Sequence, residues 1–220
     1  MFTGIIEAVG TIKQIQVGSH GARIVIATGV LDMSDVKLGD SIATNGICLT
    51  VIAFDSTSFS ADVSTETLLR TGFAHYKVNQ QVNLEKAMLP TTRFGGHIVS
   101  GHVDAVVCIT QINRVGNSID YWLEMTDDIA PYIAEKGSIT IDGVSLTVNS
   151  VDTTSFRLTI VPHTSNQTIM PIYQIGSQVN IEVDVMARYI ERLLLKKQDN
   201  NTQTLGVTES LLRQSGFIKN

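Results

Sequence analysis

The sequence predicts an all-β chain: two tandem barrels of one design, followed by a helix. The first observation behind this is a phrase written twice, NGICLTV at 45–51 and DGVSLTV at 142–148, offset by 143 − 46 = 97 positions. The second is that this offset holds along the chain. It lays FTGIIEAVGTI (2–12) over VSGHVDAVVCI (99–109), DSTSF (55–59) over DTTSF (152–156), and QVNLE (81–85) over QVNIE (178–182). The third is composition within the blocks: short β-branched runs bounded by turn residues. A solenoid unit repeats every ~20–50 residues, so a longer period means a duplicated small domain.

Asn45-Gly46 and Asp142-Gly143 are hairpin turns, because both central residues of a type I′ turn need positive φ. After the first turn Ile47, Leu49 and Val51 face one side of the strand, and Cys48 and Thr50 the other. After the second, Val144, Leu146 and Val148 face inward, and Ser145 and Thr147 outward. RIVIA, SFSADV, SFRLTIV and QVNIEVDV read as further strands. Many short strands per copy favour a closed barrel, since closure removes exposed edges. LPTTRFGG at 89–96 is the expected linker. VMARYIERLLLKK at 185–197 sets Tyr189, Leu193 and Leu194 at helical spacing, and its apolar stripe suits self-association. DNNTQT then reads as a loop, and VTESLLRQSGF as a short helix with Thr208 as N-cap. The expected divisions are 1–88, 97–186 and a tail at 187–220.

Composition narrows the function classes. Net charge is −5 and no Lys/Arg run occurs, which argues against a nucleic-acid surface. Two cysteines, Cys48 and Cys108, do not make a disulfide framework. MFTGIIEAVG carries no secretion signal, and no apolar run reaches the ~20 residues of a membrane span, so the expected location is cytoplasmic.

The polar pairs beside the two hairpins admit two readings. They are the ordinary outer face of half-exposed strands, or small groups that hydrogen-bond a flat heterocycle without blocking it. Cys48 is a nucleophile or a space-filling thiol. GGHIVSGHVDA at 95–105 carries His97 and His102, five positions apart. That spacing gives opposite parity on a strand and roughly 140° of rotation on a helix, so the two rings do not share a metal ion. His102 stands over Ile5, so the second copy has an imidazole where the first has none. Either histidine is a structural side chain or, in a cleft, a group that moves protons near neutral pH.

Together MFTGI (1–5), NGICLTV, GGHIVSGHVD (95–104), DGVSLTV, VPHT (161–164) and NIEVD (180–184) resemble the riboflavin synthase family. The resemblance covers both halves in the family's order. It implies two six-stranded Greek-key barrels and a C-terminal trimerising helix. It implies dismutation of two 6,7-dimethyl-8-ribityllumazines, one giving four carbons to the other, to riboflavin and a ribitylamino-pyrimidinedione. Cofactor and metal are not required. A homotrimer is implied, with sites between subunits, and association with lumazine synthase is a family trait.

Carried over by position, the first pocket comprises Phe2, Gly4, Ile5, Ile6, Ser41, Cys48, Leu49 and Thr50, with Asp62, Val63, Ser64, Thr65, Glu66 and Thr67. The second comprises Gly101, His102, Val103, Lys136, Ser145, Leu146 and Thr147, with Ile160, Val161, Pro162, His163, Thr164 and Ser165. Cys48 and Thr50 would serve addition at C7 of the acceptor, and Ser41 is carried over beside them as a catalytic candidate. His102, with Ser145 and Thr147, would serve proton removal from the 7-methyl group of the donor. Phe2 would close a pocket edge, and Asp142 and Asp184 would orient neighbours. Ser165-Asn166 departs from the family's usual pair. A non-catalytic antenna protein binding lumazine or flavin is the alternative reading. Such relatives have lost pocket polar residues in one barrel, whereas Cys48, His102, Ser145 and Thr147 are all present here.

Overall fold

The computed structural model describes residues 1–203 and 209–216, with side chains over 1–195 and 212–216. Two closed six-stranded antiparallel barrels form the bulk of it. The first contains β1 (Ala8–Gly18), β2 (Gly21–Ala27), β3 (Ser41–Thr44), β4 (Ile47–Phe54), β5 (Ser58–Ser64), helix α1 (Thr65–Arg70) and β6 (Gln81–Lys86). The second contains β7 (Ala105–Val115), β8 (Ser118–Glu124), β9 (Ser138–Ile141), β10 (Val144–Val151), β11 (Ser155–Ile160), helix α2 (Pro162–Gln167) and β12 (Gln178–Val183). Strand order is β1-β2-β5-β4-β3-β6 in one and β7-β8-β11-β10-β9-β12 in the other, the same circuit twice.

The hairpin reading holds at both turns: Asn45, Gly46, Asp142 and Gly143 all have positive φ. Strand parity holds too. Ile47, Leu49 and Val51 join the first core with Ile24, Ile26, Phe59 and Leu84, while Thr50 is exposed and Cys48 half-buried. Val148, Phe156, Leu158 and Ile181 belong to the second core. Each core removes over a dozen apolar side chains from water, at roughly 1.5–3 kcal/mol per large aliphatic or Phe.

The barrels meet back to back at their hairpins. A Cβ on Gly46 would lie 2.7 Å from the nitrogen of Gly143, and the reverse clash is the same, so only glycine lets the two turns touch. Two asparagines lock this seam by reciprocal exchange. Asn83 of β6 donates to the Asp142 carbonyl (3.0 Å) and accepts from Ile169 N–H (2.9 Å). Asn180 of β12 donates to the Asn45 carbonyl (2.9 Å) and accepts from Gly72 N–H (2.8 Å). Asn83 and Asn180 are buried, and each satisfies polar backbone in the opposite barrel.

Met1–Val185 form one compact unit and the residues from Met186 onward another. The latter carries helix α3 (Val185–Gln203) and helix α4 (Glu209–Gln214). Residues 199–203 are the last turn of α3 rather than a loop, since nothing in KKQDNNTQ breaks a helix. Thr208 lies outside the described residues. Among those described, no helix is long and apolar enough to cross a membrane.

Candidate functional site

The two duplicated strands open their barrel walls. The β4–β5 ladder runs from Phe54↔Phe59 to Val51↔Ala61 and ends there. Beyond it Ile47–Thr50 pair only with β3, and Asp62–Ser64 only with β2. The β10–β11 ladder likewise ends at Val148↔Leu158, leaving Val144–Thr147 on β9 and Thr159–Ile160 on β8. The strands diverge where this pairing stops, beside Cys48 and Thr50 in one barrel and Ser145 and Thr147 in the other, and these two gaps are the candidate clefts. Leu49 lines the core behind the first, and Leu146 behind the second. Ser41 is the cross-strand partner of Thr50, and its repeat counterpart Ser138 is the partner of Thr147. Ser138 was legible from the offset of 97 alone, and the sequence reading passed over it.

The clefts are completed crosswise, which corrects the expected partition. Loop 4–6 was grouped with Cys48, and loop 101–103 with Ser145. Instead, Gly4 carbonyl accepts the Ser145 N–H (2.7 Å), and Gly101 carbonyl accepts the Cys48 N–H (2.9 Å). Both glycines have positive φ. A Cβ on Gly4 would sit 2.6 Å from Ser145 Cβ, and one on Gly101 2.6 Å from Cys48 Cβ. Val103 packs on the first core, although it precedes the second barrel in the chain. The cause is docking: Phe2 bridges Val99 antiparallel, so the segments leading into the two barrels cross over each other. Phe2 is fully buried there, packed with Ala43 and Val99 against Cys48.

Buried carboxylates hold the crossing loops. Glu85 takes Thr3 N–H and hydroxyl (both 2.7 Å) and Gly4 N–H (2.9 Å). Glu182 takes Ser100 N–H (2.6 Å) and hydroxyl (2.7 Å), Gly101 N–H (3.0 Å) and His102 N–H (3.1 Å). Burial pushes both carboxyls up in pKa, and the donated hydrogen bonds pull back.

The imidazole that meets Ser145 is His97, which the sequence analysis weighed beside His102 but did not place at the site. His97 Nδ1 and Ser145 Oγ are 2.8 Å apart. Burial lowers the His97 pKa and the charge of Asp184 opposes this, so the ring favours its neutral, proton-accepting form. His102 is exposed instead, its Nδ1 3.1 Å from Ser100 Oγ, on the loop that reaches Cys48. Position 97 has no counterpart in the first copy (97 − 97 = 0), so comparing the copies could not flag it.

The remaining residues are spread over the ends of β5 and β11, the short helices after them, the barrel interiors and the seam. Ser64 caps α1 through Thr67 N–H (3.0 Å), with Thr65 and Glu66 in its first turn. Val161 begins α2 with Pro162 in the first turn and no side-chain cap; His163, Thr164 and Ser165 follow. Ile160 is core and Val63 is buried. Lys136 occupies φ 66°, where the first copy has Gly39. A left-handed lysine is unusual and costs about 1–2 kcal/mol. Asp142 faces the barrel seam, held by Tyr173 and Asn180, rather than a cleft. Ser41 and Ile5 also line a cavity of about 560 Å³ under the linker, with Glu85 and Arg93. Cys48, Thr50 and residues 62–67 lie outside it. Among the described residues, no three His, Cys, Asp or Glu side chains are arranged to hold a metal.

The description "Lumazine binding domain" matches residues 3–87 and again 100–184. Riboflavin synthase of Photobacterium phosphoreum is 55% identical over 99% of this chain and 100% of its own. That of Bacillus subtilis is 43% identical with the same coverage. LumP complexed with 6,7-dimethyl-8-(1'-D-ribityl)lumazine superposes with TM-score 0.75 at 23% identity, covering 83% of this chain and 99% of that one. LumP complexed with riboflavin gives 0.77 at the same identity. The chain belongs to the riboflavin synthase family of two-repeat lumazine-binding proteins.

Proposed function

We infer that this chain is a riboflavin synthase. It joins two 6,7-dimethyl-8-ribityllumazines by four-carbon transfer, giving riboflavin and 5-amino-6-ribitylamino-pyrimidinedione. One observation carries the reading. Two clefts of one design sit on one chain, yet their reactive groups differ: a thiol at Cys48 opposes a hydroxyl at Ser145 backed by His97. A reaction between identical molecules in different roles needs such half-sites, similar in shape and unlike in chemistry. Holding two rings in register contributes several kcal/mol to the barrier.

Residues 1–88 and 97–186 form the two lumazine-binding halves in this reading, and 187–220 the trimerising tail. Cys48 and Thr50, with Ser41, assist addition at C7 of the acceptor. Neutral His97 accepts a proton through Ser145, and Thr147 orients the donor ring. His102 supplies a second imidazole from the loop that meets Cys48. A homotrimer fits the exposed stripe Tyr189, Ile190, Leu193 and Leu194, which a partner's helix would cover. Two unpaired cysteines suit a cytoplasmic setting. Association with a lumazine synthase shell follows family precedent. The test is incubation with 6,7-dimethyl-8-ribityllumazine alone. Steady release of one riboflavin per two lumazines consumed supports the assignment. Binding with a shifted emission spectrum and no riboflavin would make the chain an antenna-type binder.

A further inference from the structure

One buckle holds both crossing loops, and in the second copy it also holds an imidazole. In the first copy buried Glu85 takes the N–H and hydroxyl of Thr3 and the N–H of Gly4, and the Thr3 hydroxyl oxygen accepts the N–H of Ile5 at 3.3 Å. At the offset of 97, Glu182 stands for Glu85, Ser100 for Thr3 and His102 for Ile5. Glu182 Oε1 accepts the Ser100 N–H (2.6 Å) and hydroxyl (2.7 Å), and Oε2 accepts the N–H groups of Gly101 (3.0 Å) and His102 (3.1 Å). Four donors fill the four acceptor positions of a carboxylate, which leaves Glu182 no place for a proton of its own. The single hydroxyl proton of Ser100 is therefore spent on Glu182. Toward His102 Nδ1, 3.1 Å away, the same oxygen can only accept. Nδ1 thus carries the proton of the neutral ring, and Nε2 keeps the lone pair. The hydroxyl lone pair that serves a backbone N–H in the first copy serves an imidazole in the second.

We propose that Ser100 and Glu182 are positioning residues of the reaction, which fix His102 as a proton acceptor at Nε2. The inference rests on the riboflavin synthase reading, because that supplies carbon acids, the methyl groups of the lumazine ring. A proton leaving such a carbon binds at Nε2, and the electron pair stays on the pteridine ring. The imidazolium so formed keeps its Nδ1–H on Ser100 and faces the Glu182 charge across one hydroxyl, which favours the charged ring. The backbone beside it is held as well: Gly101, between Ser100 and His102, accepts the Cys48 N–H at 2.9 Å. An exposed histidine without such a partner favours the opposite tautomer, with its proton on Nε2. The buckle therefore reverses the default of an exposed side chain.

The test is nitrogen NMR of the full chain labelled at histidine, at about pH 8, where an ordinary imidazole is neutral. The His102 signals, assigned by their loss in His102→Gln, should show a protonated Nδ1 and a bare Nε2 in the wild type. Ser100→Ala should return the ring to the Nε2–H form and lower kcat about tenfold, with KM moved less than about threefold. Ser100→Thr should restore both, since Thr3 makes the same hydroxyl contact in the first copy. A wild-type His102 already in the Nε2–H form would overturn the proposal, whether or not the variants fold. So would a tautomer that switches in Ser100→Ala with kcat unmoved, or a Ser100→Thr as slow as Ser100→Ala. A wild type that forms no riboflavin from lumazine would instead overturn the functional reading, and the positioning role with it, while the tautomer of His102 is read independently.

Discussion

Cys48 is where residue-scale chemistry can be separated from packing. Its thiol lies against Phe2, Ala43 and Val99, so a purely structural role would affect binding and turnover together. As the group that adds to the acceptor ring, it should act on turnover alone. Cys48→Ala is therefore expected to lower kcat by about 10²-fold or more while shifting lumazine Kd less than about threefold. Stopped-assay turnover beside equilibrium titration separates the outcomes, and equal losses would return Cys48 to packing. Ser145→Ala tests the other half differently. It removes the partner of His97 Nδ1, so the acid limb of the pH–rate profile should move as well as its height. An unmoved limb would take His97 out of proton transfer.

At the scale of elements, the hairpins were the most legible feature of the sequence, and their purpose the least. Asn-Gly and Asp-Gly announce a turn through their backbone freedom, a local property. That the two turns press together is decided by docking of residues nearly a hundred positions apart, for which no periodic pattern exists. The crosswise loops were hidden for the same reason. Gly4 and Gly101 looked like members of their own repeats, and only the Phe2–Val99 bridge sends each to the other cleft. His97 was weighed beside His102 but not placed at the site, because it stands just outside the aligned repeat and the copies offer no comparison for it. The contact at the turns makes a sharp prediction. Gly46→Ala must carry a Cβ both at φ 76° and 2.7 Å from Gly143 N, so it should cost about 2–4 kcal/mol. Gly39, also at positive φ but with nothing within 4 Å, should lose only the backbone share of that on replacement by alanine. Urea midpoints of the two variants compare them directly, and similar losses would mean the turns can separate without cost.

For the molecule as a whole, the seam sets a pH dependence through Asp142. Its carboxyl accepts from Tyr173 hydroxyl (2.5 Å) and Asn180 N–H (2.8 Å), and burial lifts its pKa from 3.8 to about 7 in spite of both bonds. The folded chain thus keeps a proton that the unfolded chain releases near pH 4. The stabilisation is complete below the unfolded pKa and is lost as pH rises through about 7. Between those limits each pH unit removes up to ~1.4 kcal/mol. Buried Glu85 and Glu182 shift in the same direction and add to the slope, while His97, held below the ordinary imidazole range by burial, opposes it in part and is common to wild type and variant. Asp32, Asp55 and Asp62 are shifted down by their hydrogen bonds, and they act below pH 4, outside this window. The first copy supplies the control, since Asn45 fills the same place with its Oδ1 accepting Asn83 N–H (2.7 Å) and its Nδ2 donating to Tyr76 hydroxyl (3.0 Å). Asp142→Asn can copy that pattern against Asn180 and Tyr173. It should fold, and the difference in its urea-derived stability from wild type should grow as pH rises from 4 to 7, then level off. A difference that stays constant with pH would mean that Asp142 does not hold its proton in the folded seam.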